Sequence, residues 1–93
     1  MEQPAMAPAR REPDLSTYSG RVSQRIRELR EKRKLTTEEV AEAVTAAGFA
    51  VTASNIRHWE NGRIKPNLDA MPYLASVLRV RASQLFPDME VTD

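Results

Sequence analysis

Apolar residues recur at helical spacing along most of this chain. Val22, Ile26 and Leu29 stand four and then three positions apart, which predicts a first helix from near Tyr18–Gly20 to about Lys34. Its other faces carry Arg27–Glu31 and Glu28–Lys32 at i, i+4 spacing and read as a solvated charged surface. The next start is sharper. Thr36-Thr37-Glu38-Glu39 is a capping box, with Thr36 as cap and Glu39 reaching back to it. Val40, Ala41 and Val44 supply the buried stripe of the second helix, and Gly48 ends it. A third helix lies between Thr52, a good N-cap, and Gly62, which tolerates the left-handed backbone at a helix end. At 3.6 residues per turn, Ile56, Trp59 and Glu60 share one face of it. Ser54, Arg57 and His58 share the other, with Ala53 and Asn55 at the margins. Large apolar groups inward and short polar or cationic groups outward suit a helix inserted into a nucleic-acid groove.

After a loop over 63–67, Leu68, Met71, Leu74, Ala75 and Leu78 predict a fourth helix from Leu68 or Asp69 to Leu78. A start capped by Asp69 leaves Pro72 in the first turn, where no hydrogen-bond donor is needed. A short fifth helix over 82–86 is ended by Pro87. No strand alternation or internal repeat interrupts the pattern. The fold class is all-α, with five helices around one small core.

The ends differ from the middle. Residues 1–17 have no apolar period and hold three of the six prolines, so they read as a flexible arm, with Arg10-Arg11 more simply an inert tail than a DNA contact. Residues 18–87 form the domain, and 88–93 an acidic tail. The net charge of +1 conceals an asymmetry: residues 20–86 hold 12 basic and 7 acidic groups, a balance of +5, while both ends are acidic. A basic body suits phosphate binding.

Several function classes fall away. There is no cysteine for a disulfide, a thiol nucleophile or a cysteine-ligated zinc, and His58 is the single histidine. The three glycines are scattered, so no glycine-rich phosphate cradle exists. Glu38, Glu39 and Glu42 are explained by capping, helix dipole and solvation. The expectations are no catalytic residues, no metal and no cofactor. No apolar run is long enough for a membrane span or a secretory leader, which points to a cytoplasmic protein with no membrane and no small-molecule substrate.

The order of several short motifs then resembles the phage-repressor and Cro-like (XRE-type) helix-turn-helix family, over about residues 20–86. They are Arg25-Ile26-Arg27-Glu28-Leu29-Arg30, Leu35-Thr36, Glu39-Val40-Ala41, Trp59-Glu60-Asn61-Gly62, Lys65-Pro66 and Leu85-Phe86. The resemblance implies that helix 53–61 enters the major groove of double-stranded DNA, with its early residues at base edges. Arg57 is then suited to fork onto guanine O6 and N7, and Ser54, His58, Asn55 and Ala53 are the other candidate base readers. Thr37 and Asn61 match family positions that bind backbone phosphates, and Arg63 and Lys65 extend that role by charge. Arg30 and Glu60 match a partly buried salt bridge between the first and third helices. Two departures stand out. Residues 45–51 add about five positions to the usual turn, which implies a longer second helix with Phe49 and Val51 folded onto the core. Arg79 occupies a place where the family often has a helix-ending glycine.

The leading function is therefore a small transcriptional regulator, a repressor by analogy, that binds DNA sequence-specifically. The alternatives are an antitoxin-like module binding both DNA and a partner protein, and a protein-interaction or RNA-associated coactivator domain. A homodimer is the expected second partner, because one domain reads one half-site. Val80, Leu85, Phe86, Met89 and Val91 are the apolar residues available for a two-fold contact, weighed against closing the monomer's own core.

Overall fold

The computed structural model describes residues 11–88. Four α-helices follow in order, α1 (Tyr18–Lys32), α2 (Thr37–Ala47), α3 (Ala53–Glu60) and α4 (Met71–Leu78), and no strand occurs among the described residues. Two 3₁₀ turns, Leu68–Ala70 and Ala82–Leu85, complete the set. The expected fifth helix is thus a single tight turn rather than an α-helix. It still does its packing work, since Leu85 is fully buried and Phe86 lies against the core. Both residues close the monomer's own interior; Met89 and Val91 lie outside the described residues.

Local chemistry explains the helix starts. Thr36 accepts from the Glu39 N–H at 3.0 Å while the Glu39 carboxylate accepts from the Thr36 N–H at 2.8 Å. Thr52 and Asn55 repeat the exchange at the head of α3, at 3.1 and 3.2 Å. Each box satisfies donors that a helix start leaves without an intrahelical partner. Pro72 lies in the first turn of α4, as its missing N–H requires. Asp69 does not cap α4, which starts from Ala70 with no side-chain cap; Asn67, whose side chain takes the Asp69 N–H, caps the 3₁₀ turn before it. The 3₁₀ turn also swings Leu68 out of the expected apolar stripe, leaving it 71% exposed.

Three helices end alike. After α1, α2 and α4 the chain reverses through Lys34 (φ 58°), Gly48 (φ 128°) and Arg79 (φ 59°). In each case the next residue donates back five positions: Leu35 to the Arg30 carbonyl, Phe49 to Val44 and Val80 to Ala75. These are Schellman ends, and Leu35, Phe49 and Val80 all pack onto the core. Only one of the three uses glycine. A non-glycine residue in the left-handed region costs roughly 1–2 kcal/mol, partly offset by glycine's larger freedom when unfolded. Arg79→Gly is therefore expected to stabilise the domain by about 0.5–1 kcal/mol, read as a higher urea midpoint with an unchanged slope.

The core gathers Val22 and Ile26 of α1, Val40, Ala41 and Val44 of α2, Ile56 and Trp59 of α3, and Met71, Leu74, Ala75 and Leu78 of α4. Burial of each large side chain contributes about 1.5–3 kcal/mol. The long connection at 45–51 is fastened at both ends. The Thr45 hydroxyl donates to the Val51 carbonyl at 3.0 Å and accepts the Val51 N–H at 3.1 Å. Phe49 stacks in a tilted arrangement on Tyr73 of α4, with centroids 5.7 Å apart. The extra residues therefore leave α3 firmly seated against α2.

The N-terminal segment is held as well. Residues 1–10, including Arg10 and most of the expected arm, lie outside the described residues, while 11–17 make contacts to the domain. Pro13 is buried where glycine leaves room, since a Cβ on Gly62 would meet the Pro13 Cα at 3.0 Å. Arg21 donates to the Leu15 carbonyl at 2.8 Å, and Asp14 accepts from the Ser16 N–H and hydroxyl. Those bonds hold the Asp14 carboxyl below its ordinary range.

Candidate nucleic-acid interface

The seat of α3 determines what its outer face can do. Ile56, Trp59 and Glu60 are all buried, at 0, 5 and 3% exposure, so the inward face is the one the helical wheel predicts. Glu60 is the polar anchor. Its carboxylate accepts from Arg30 Nε at 2.6 Å and Nη2 at 2.9 Å, a two-point pairing, and the same guanidinium donates to the Leu35 carbonyl at 2.7 Å. The pairing with Glu60 raises the Arg30 pKa against the opposing effect of burial. Glu60 thereby joins the end of α3 to α1 and to the start of the link into α2.

A second arginine completes this anchor. Arg27, expected on a solvated face with Glu31, is buried at 6% exposure. Its Nη1 pairs with Glu12 at 2.8 Å, and its Nη2 donates to the Arg11 and Glu60 carbonyls at 3.2 and 3.3 Å. The docked N-terminal segment supplies two of those partners, which is why the side chain tolerates burial. No local spacing signals this arrangement, because Glu12 and Glu60 lie 15 and 33 residues away.

The outward residues separate into free and engaged groups. Ser54 is exposed, and its hydroxyl lies 3.4 Å from His58 Nε2 one turn later. His58 is half-buried, and its Nδ1 has no hydrogen-bond partner among the described residues. Ala53 is half-buried and packs on the core. Asn55 is engaged: its Oδ1 accepts from both the N–H and the hydroxyl of Thr52. A two-point contact to adenine needs that oxygen, so Asn55 serves the cap and keeps only its amide N–H groups for other partners.

Arg57 reaches across to α2. Its Nη1 donates to the Thr37 hydroxyl and to Glu38 Oε2, each at 3.1 Å, while that hydroxyl donates to Glu38 Oε1 at 3.2 Å. The ring of contacts sits in the open, with side-chain exposure of 52% for Arg57 and 69% for Glu38. The Glu38 carboxyl is held below its ordinary range by its own backbone N–H first, then by the Thr37 hydroxyl and Arg57. In the sequence Glu38 is explained, with Glu39 and Glu42, by capping, helix dipole and solvation, and its contact to Arg57 is not visible there.

The phosphate candidates fall in two places. Thr37 and Asn61 line one cleft of about 420 Å³ together with Arg27, Arg30, Lys34 and Arg57. Asn61 Oδ1 accepts from the Arg63 N–H at 2.9 Å, which shapes the loop after α3 and leaves its amide nitrogen available. Arg63 and Lys65 stand exposed on that loop, outside the cleft, and enter no ion pair among the described residues.

Two packed helices joined by a turn, the second with its apolar face seated and its cationic face open, define a helix-turn-helix domain. A helix-turn-helix domain family matches residues 21–85, and the chain belongs to this family of XRE-like domains. Its fold is that of a DNA-binding regulator, a class of module not typically enzymatic. No curated protein and no solved structure matches the chain. No helix among the described residues is long and apolar enough to cross a membrane.

Proposed function

We propose that this protein is a small transcriptional repressor that binds double-stranded DNA sequence-specifically, reading the major groove with residues 53–61. One observation carries the reading: Ser54 and Arg57 are exposed on a helix whose opposite face is locked by Ile56, Trp59 and the Arg30–Glu60 pair. A base reader needs that combination of free donors and a rigid base. In this assignment Arg57 forks onto guanine O6 and N7, Ser54 makes an adaptable contact beside it, and His58 lies next along the face. Asn61, Arg63 and Lys65 hold phosphates and set the register, and Thr37 joins them through its backbone N–H at the start of α2, because its hydroxyl proton is given to Glu38.

Selection of bound sequences from random duplexes at fixed salt tests this reading. The expected result is a defined site containing an invariant guanine; recovery of no common sequence overturns it. Lys65→Ala gives a separate check of the phosphate role. Because Lys65 is exposed on the loop after α3, its loss is expected to weaken preferred and scrambled duplexes alike and to flatten the salt dependence by about one. A Lys65→Ala protein that loses affinity for the preferred duplex alone would make Lys65 a base contact.

A further inference from the structure

The geometry points to Glu38, with the Thr37 hydroxyl, as a positioning device that aims Arg57 at guanine from the side, through its Nε and Nη2 edge. The inference rests on the reading that Arg57 is a base reader. Its basis is which nitrogen is engaged. Both contacts from Arg57, to Thr37 Oγ1 and to Glu38 Oε2, leave from Nη1, and one nitrogen carries two protons. Among the described residues nothing accepts from Nε or Nη2. That remaining edge carries two parallel N–H groups, the pattern that matches guanine O6 and N7.

The holder is rigid where it needs to be. Thr37 is the first residue of α2 and is buried at 9% exposure, so its hydroxyl has a fixed place. That hydroxyl donates to Glu38 and accepts from Arg57, which locks its orientation. The three side chains form a closed ring across the two helices of the motif. A long, flexible arginine held in this way loses less freedom when it meets a base than one waving in solvent. The Glu38 carboxylate also repels nearby phosphates, but that repulsion acts on every DNA sequence alike and cancels from a ratio of affinities.

The test is the ratio of affinities for the selected duplex and a scrambled one, at one salt concentration, for wild type, Glu38→Ala, Glu38→Gln and Arg57→Ala. Glu38 is exposed, and thermal melts confirm that each variant is folded before binding is measured. Glu38→Ala is expected to lower the ratio about three- to tenfold, the scale of freeing one immobilised side chain. Glu38→Gln, which retains an acceptor, is expected to fall between Ala and wild type. In an Arg57→Ala background, Glu38→Ala is expected to change the ratio no further. A ratio that is unchanged or higher in Glu38→Ala overturns the proposal, as does a loss of equal size in the Arg57→Ala background. If Arg57→Ala lowers the ratio and Glu38→Ala does not, the positioning role alone fails. If Arg57→Ala leaves the ratio at the wild-type value, the base-reading assignment fails and the positioning role falls with it.

Discussion

Glu60→Ala is expected to destabilise the domain by about 3–5 kcal/mol, the loss that follows when one partner of a buried ion pair is removed. Two arginines are left behind. Arg30, whose side chain is 14% exposed, loses both its bonds to the Glu60 carboxylate and keeps the Leu35 carbonyl and a longer ion pair to the half-exposed Glu31 at 3.9 Å. Arg27, at 7%, keeps Glu12 and the backbone carbonyls, which places the loss toward the lower end of the range. A domain has roughly 5–15 kcal/mol of total stability, so the loss removes between about a fifth and all of it and lowers the urea midpoint in proportion. Removing both charges, as in Arg30→Met with Glu60→Gln, is expected to recover much of the stability, because no unpaired charge then remains buried at that contact. Urea midpoints of the two single variants and the double variant decide the matter. A Glu60→Ala midpoint equal to wild type would mean that the pairing contributes nothing to seating α3.

Arg57→Ala has the opposite profile. The side chain is half exposed and its partner Glu38 is freely solvated without it, so folding is expected to be little changed. Binding is not. The loss on the preferred duplex is expected to be about 1–3 kcal/mol, with relaxed preference at a single base position. Measured against a scrambled duplex, the same variant is expected to lose far less. Equal losses on both duplexes would make Arg57 a phosphate contact and transfer specificity to Ser54, His58 or DNA shape.

How much of this was legible in the sequence follows from the range of each interaction. The capping boxes at Thr36 and Thr52 join residues three apart, and the inward set of Ile56, Trp59 and Glu60 repeats at helical period, so both are visible in the linear chain. The Arg30–Glu60 bridge spans 30 residues and came only through the family resemblance. The left-handed ends at Lys34 and Arg79 have no glycine to announce them. They are imposed by Leu35 and Val80, which turn back onto the core and carry the preceding residue with them. Arg27 reads as a surface charge because nothing near it in sequence shows that Glu12 and Glu60 converge there. Glu38 is obscured differently. A first-turn carboxylate already has a sufficient local explanation in the helix dipole, so its reach to Arg57, 19 residues away, adds no pattern to the sequence.

The same ranges explain the site. α3 is a short element of 8 residues and is marginal alone, so its orientation depends on Glu60, Trp59 and the fastened loop at 45–51. On the proposed function, base reading thus depends on contacts remote from any base, and seating and reading are expected to separate by mutation. Glu60→Ala is expected to act on stability, and Arg57→Ala on preference.

The measurement closest to the central claim uses two duplexes that differ only at the selected guanine, one carrying guanine and the other 7-deazaguanine, which lacks the N7 acceptor. Wild type is expected to bind the deaza duplex more weakly by about 1 kcal/mol or more, while Arg57→Ala binds the two alike. Wild-type binding that ignores the substitution, or an Arg57→Ala protein that remains just as sensitive to it, would contradict a major-groove contact between Arg57 and guanine.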